Sequence, residues 1–117
     1  MAGIGADDTG DLYSASGYCA TAGTAASELL HGRYAAAFGA NAPVMGSVGQ
    51  SIYEGVRCYA ALAARAGSIG HRPITAAARA FVYHGGRGAV EVRGNEAALP
   101  IFLSEANGMA FRVIRTF

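Results

Sequence analysis

Histidine, cysteine, serine and tyrosine are the side chains here that could do chemistry, and their spacing decides which. His31, His71 and His84 stand far apart. They lack the H-x-x-x-H spacing that sets two imidazoles on one helix face, so they do not read as metal ligands. Cys19 and Cys58 fall in no C-x-x-C pattern; a disulfide between them is geometrically possible, but two free, buried thiols packing like small apolar residues is the better reading. Asp7 and Asp8 read as solvated acids. Ser14-Ala15-Ser16-Gly17 lacks the first glycine of a nucleophile elbow. His84-Gly85-Gly86 has the look of an oxyanion loop, but no Ser-His-Asp set accompanies it, and a plain glycine turn fits better. Gly85-Gly86-Arg87-Gly88 could hold an anion through successive backbone N–H groups, although a helix-to-strand loop has the same composition.

Tyrosine is the remaining signal. Tyr13, Tyr18, Tyr53, Tyr59 and Tyr83 each join an apolar ring to a polar tip, a combination that recurs in small-molecule sites. Most suit the rim of an ordinary core. Tyr18 stands apart, at the end of a predicted strand and beside Gly17. These residues point to no catalytic group, metal or cofactor.

Composition narrows the field further. A chain of 117 residues suits one small domain. It is 52% hydrophobic but 15% charged, against about 25% in ordinary globular proteins. Much of the apolar share is alanine, which favours helix but buries little area. Nine arginines oppose eight acids, with no lysine and no basic cluster, so nucleic acid is not an expected partner. No apolar run approaches the roughly 18 residues of a membrane span. Without a secretory leader pattern, the chain as it stands is expected to be cytoplasmic.

The elements that must position Tyr18 follow from periodicity. Residues 1–10 are Gly- and Asp-rich and read as a flexible start. Residues 11–18 alternate as a strand weakened at Gly17. Thr24 is the expected N-cap of a helix over 24–38, with Ala26, Leu30, Tyr34, Ala37 and Phe38 as its buried face and Gly39 as its stop. A turn at 41–43 leads to a second helix, Ser47–Ala66, with Ile52, Val56, Tyr59, Ala60 and Ala63 on one stripe. Arg65 complements its C-terminal dipole and Gly67 ends it. Pro73 starts a third helix whose buried face is Ile74, Ala77, Ala78 and Phe81. Strand character begins after Gly85, where Val90 and Val92 share a face. Asn107-Gly108 predicts a two-residue hairpin turn, with Ser104 opposite Phe111, Phe102 opposite Val113 and Glu105 near Arg112.

These motifs, in this order, are similar to one family. Tyr18-Cys19-Ala20-Thr21, Thr24-Ala25-Ala26-Ser27, Tyr34 and Phe38-Gly39 resemble the type I periplasmic-binding-protein family, most closely its amide- and urea-binding branch. Ser51-Ile52-Tyr53-Glu54 and Ala64-Arg65-Ala66-Gly67-Ser68 resemble that branch's second helix. Tyr83-His84-Gly85, Gly88-Ala89-Val90-Glu91-Val92 and residues 101–114 resemble its last strands. The resemblance implies an α/β fold, a partial Rossmann-like lobe with one N-terminal strand, three helices and C-terminal antiparallel strands with an Asn-Gly hairpin. Residues 11–117 would be the C-terminal part of a two-lobed solute-binding protein.

The implied function is non-enzymatic binding of a small amide, urea or amino acid, read by an ABC permease or a regulatory partner. A full-length parent of this kind would be periplasmic or extracellular. Tyr18, Gly17 and Cys19 map near the family's cleft. The branch commonly has Pro before this Tyr, Phe after it, and Asp before the capping Thr; here stand Gly17, Cys19 and Gly23. Helices that normally cover a parallel sheet would lack it, leaving an apolar face open and favouring self-association around Ile52, Val56 and Tyr59. A protein–protein assembly module is the alternative from another class, and a small Tyr- or Ser-dependent hydrolase a third.

Overall fold

A computed structural model describes residues 5–39 and 41–117. Of the start expected to be flexible, residues 1–4 lie outside the described residues, as does residue 40 of the first interhelix loop. Ala6–Asp8 forms a short 3-10 turn. The chain then runs β1 (Tyr13–Ser16), α1 (Ala25–Phe38), α2 (Ser47–Ala66), α3 (His71–Ala77), β2 (Phe81–Gly85), β3 (Gly88–Arg93), β4 (Glu96–Ala98), β5 (Phe102–Asn107) and β6 (Ala110–Thr116). Its strands form two antiparallel sheets of three, in the orders β1-β5-β6 and β2-β3-β4, where the residues alone suggest one sheet. The arrangement is mixed α/β, as expected.

The helix boundaries have local causes. Thr24 takes an extended conformation and its hydroxyl accepts from the Ser27 N–H at 3.2 Å, closing the first turn of α1. At the far end of α2 the Ser68 N–H reaches the Ala63 carbonyl while the Gly67 N–H reaches Ala64, the two bonds of a Schellman ending. α3 begins at His71, two residues before Pro73. Proline still falls in the first turn, where its missing N–H has no intrahelical partner to lose.

The main core is small: Leu62, Ala78, Phe81, Tyr83, Val90 and Val92, with Cys58, Ala61, Ile74 and Ala77 against it. α2 thus presents the row 50, 54, 58 and 62 inward. Its apolar stripe lies about 200° away and faces out, since each residue advances a helix by about 100°. Ile52, Val56 and Tyr59 are 64%, 67% and 49% exposed. α1 departs from expectation. Leu30 and Ser27 are its buried residues, while Phe38 is 69% exposed and stacks on Tyr34.

Two corrections concern strands. Phe81, expected on α3, opens β2 instead: α3 ends at Ala77, and after a turn over 78–80 Ala80 takes a left-handed conformation (φ 52°) that redirects the chain into the strand. In the last hairpin Asn107 pairs with Ala110 and Ser104 with Val113, so the two-residue loop is Gly108-Met109, not Asn107-Gly108. Gly108 takes φ 61° while Met109 is not among the positive-φ residues, the sign pattern of a II′ turn with glycine first. Pairing shifts by two from Ser104 to Asn107, which keeps those side chains on the face expected of them. Beyond a bulge between Leu103 and Ser104 it shifts by three, and Phe102 meets Thr116 instead of Val113. Phe102, Phe111 and Val113 remain inside or half-buried, and Arg112 meets Glu105 at 2.7 Å.

Candidate functional site

β1 pairs with β5, from Tyr13 opposite Glu105 to Ser16 opposite Phe102. That ladder carries the chain to Tyr18 at the edge of a cleft of about 560 Å³. The cleft lies between the segment after β1, the segment entering α2 and the β5–β6 hairpin. Tyr18 and Cys19 both line it, with Ser14, Ser16, Thr21 and Ser104 and with the apolar Val44, Met45, Met109 and Phe111. Among the described residues no charged side chain is in the lining. Gly46 and Ser47, at the start of α2, also reach it. Gly46 caps α2 without a side-chain bond, so the first N–H groups of that helix remain as donors.

Tyr18 is buried, and its hydroxyl is 2.6 Å from His31 Nε2 on α1. The His31 ring meets the Tyr18 ring edge-on. Burial raises the Tyr18 phenol above its ordinary range; the neighbouring Cys19 and Glu54 add to this and Arg87 opposes it. Cys19 goes the other way. Burial alone would push its thiol up, but contacts with the Thr21 and Ser104 hydroxyls and the Thr21 backbone outweigh it and hold the thiol below the usual value. Cys19 Sγ lies 3.2 Å from Thr21 Oγ1 and accepts from Ser104 Oγ at 3.6 Å. The Ser16 hydroxyl is turned to the Tyr18 carbonyl and His31 to the Tyr18 hydroxyl, so Ser16 and His31 do not form a nucleophile–base pair.

Gly17 serves a different neighbour. It does not line the cleft; a methyl there would stand 3.0 Å from Arg87 Nη1. Arg87 is the centre of a buried polar knot that residue spacing did not reveal. Its Nε donates to Gln50 Oε1 at 2.6 Å and lies 3.3 Å from Glu54 Oε2. A further guanidinium nitrogen donates to Ser51. The Arg87 backbone N–H donates to Glu54 Oε1 at 3.1 Å. The anion held by the Gly85-Gly86-Arg87-Gly88 turn is therefore the protein's own Glu54. Close packing explains the glycines: a methyl at Gly85 would overlap the Glu54 carboxylate and one at Gly86 would lie 2.5 Å from Leu30 Cδ2. Gln50 is fully buried and its Nε2 has no hydrogen-bond partner.

Among the described residues no group of three or more His, Cys, Asp or Glu is placed to hold a metal. No helix there is long and apolar enough to cross a membrane. Both cysteines are free. Burial and the nearby Glu54 charge raise the Cys58 thiol.

Comparison with known proteins fits this architecture. A family model described as periplasmic binding protein matches residues 1–108. No curated protein matches the sequence. A similar solved structure is a solute-binding protein of an ABC transporter from Rhodopseudomonas palustris BisB5, in complex with 3,4-dihydroxybenzoic acid. The two share 16% identity at a TM-score of 0.75 over 97% of this chain. That overlap is 31% of the other chain, so this chain spans about a third of its length. With a family match across nearly all of its residues and the fold to go with it, the chain belongs to the periplasmic binding protein family.

Proposed function

We propose that this chain is the C-terminal part, residues 11–117, of a non-enzymatic solute receptor whose ligand is a small neutral amide or urea. The carrying observation is the cleft at Tyr18 and Cys19, where serine and threonine residues stand among Val44, Met45, Met109 and Phe111 with no charged side chain among the described residues. A neutral amide needs both donors and acceptors. The Ser16, Thr21 and Ser104 hydroxyls give their protons to Tyr18, Phe111 and Cys19 and keep acceptor capacity. That leaves Ser14, Ser47 and the first N–H groups of α2 as the donors. The open start of α2 favours a carbonyl oxygen at the same place. An amino acid, the other ligand implied by the resemblance, would bring two full charges with no side-chain counter-charge in the lining, which makes it the weaker candidate. In this reading Tyr18 supplies an apolar ring, Cys19 shapes the wall, and Gly17 lets the strand end approach Arg87. An ABC permease or a regulatory partner would read the closed form, and the full-length parent would work in the periplasm or outside the cell.

Calorimetric titration with acetamide, urea, glycine and 3,4-dihydroxybenzoate tests this. Saturable binding of acetamide or urea that is lost in Tyr18→Ala supports it. Preference for glycine or for the aromatic acid would overturn the ligand class.

A second reading, an assembly module without a ligand of its own, is favoured by the exposed stripe on α2. Absence of amide binding alongside a stable oligomer would select it.

A further inference from the structure

A second cleft opens between α1, α2 and the β2–β3 hairpin, and it shares no lining residue with the Tyr18 cleft. It encloses about 370 Å³, within the range of small-molecule sites. Buried Leu30 and Tyr83 line it together with the exposed Leu29. The charged groups are of one sign: Arg33 from α1 and Arg57 from α2 line it beside His84, and no carboxylate does.

Both arginines have unused capacity. Arg57 donates to the Tyr53 hydroxyl at 3.2 Å, with its guanidinium 5.6 Å from that ring's centre, and the Tyr83 hydroxyl is a second partner. Neither Arg57 nor Arg33 has an ion-pair partner among the described residues, whereas Arg87, Arg93 and Arg112 each have a glutamate. The acid packed nearest is Glu54, beneath Gly85 and Gly86, and Arg87 already neutralises it from backbone and side chain. What remains is a cleft lined by two arginines without ion-pair partners among the described residues and by Leu29, Leu30 and Tyr83. Planar forks match a carboxylate's two oxygens, and the leucines match a compact apolar body.

We propose that this cleft binds a small amphipathic carboxylate, its head between Arg33 and Arg57 and its body against Leu29, Leu30 and Tyr83. The site is independent of the amide cleft and stands or falls separately from it.

Benzoate is the probe, with benzamide as its neutral counterpart and inorganic phosphate as a head without a body. Calorimetry and backbone amide NMR on the whole chain follow the titration. Benzoate is expected to bind saturably, moving the amide signals of Leu29, Arg33, Arg57 and Gly86. Arg33→Gln and Arg57→Gln should each weaken it on the order of tenfold, the worth of a charge-assisted hydrogen bond, and high salt should weaken it further. Tyr18→Phe should leave it unchanged. Both arginines are exposed, so the glutamine variants are expected to keep the thermal transition of the parent chain. Lack of saturable benzoate binding, affinity indifferent to both substitutions, or loss in Tyr18→Phe would each overturn the assignment. Benzamide binding as tightly as benzoate would remove the charge argument, and phosphate binding as tightly would remove the apolar one.

Discussion

The Arg87 guanidinium, on the turn between β2 and β3, lies 3.3 Å from the Glu54 carboxylate of α2, with the two side chains 5% and 8% exposed. This pair, with Gln50, fixes the second sheet against the long helix at the end where the packing is polar. Toward the other end Leu62, Ala78 and Phe81 do the same work by apolar contact.

Breaking the pair should therefore be costly. Glu54→Ala or Arg87→Ala leaves a buried charge uncompensated, and each should lower unfolding free energy by about 3–5 kcal/mol in urea titration. The double change Glu54→Leu with Arg87→Met removes both charges and should recover most of that loss. Equal destabilisation by the double variant would show that the charges do not act as a pair.

Gly85→Ala probes the same place through shape. A methyl there meets the Glu54 carboxylate and the Tyr83 ring, so overpacking of about 1–3 kcal/mol is expected. The same change at Gly32, where nothing lies within 4 Å of an added methyl, should be neutral or stabilising, since alanine is the better helix former. Thermal melts of the two variants give the comparison.

The two cysteines should separate in pH. Thiolate is the reactive form; Cys19 is held below the ordinary thiol value and Cys58 above it. Raising the pH therefore ionises Cys19 first. Alkylation by a small reagent, followed by peptide mass spectrometry, should show its rate rising at lower pH at Cys19 than at Cys58. Ser104→Ala removes one hydroxyl contact to Cys19 and should move that profile up in pH. An unchanged profile would count against the hydroxyl contact as its cause.

Self-association is expected through the outward face of α2. Val56→Glu places a charge in the middle of the Ile52–Val56–Tyr59 stripe and should shift sedimentation toward monomer, whereas Val82→Glu, an exposed position on β2, should not. A compact monomer at high concentration for the unsubstituted chain would rule this out.

Much of the fold is legible in the residues themselves. Thr24, Gly39 and Gly67 bracket two helices because capping chemistry is local, within one turn of the residue concerned. The alternation of Val90 and Val92 shows β3 for the same reason. Less visible is what depends on distant partners. Phe81 continues the spacing of Ile74, Ala77 and Ala78, and the end of α3 at Ala77 has no glycine or proline to announce it. Glu54 and Gln50 look like a solvated helix face until Arg87, more than 30 residues later, folds onto them. Of the site, Tyr18 and Cys19 do share a cleft, while Gly17 turns out to make room for Arg87. His31 is paired with Tyr18 across 13 residues, and nothing in its immediate neighbours signals it.

The strand ladders stop at Ala98 and resume at Phe102, and the two sheets share no strand. Between them run Leu99 and Pro100, where the backbone belongs to neither ladder. The chain crosses between the sheets once more, over residues 17–24. Rotation at these two crossings would tear no inter-strand bond, so a displacement of one sheet against the other would be resisted only by side chains sliding past one another.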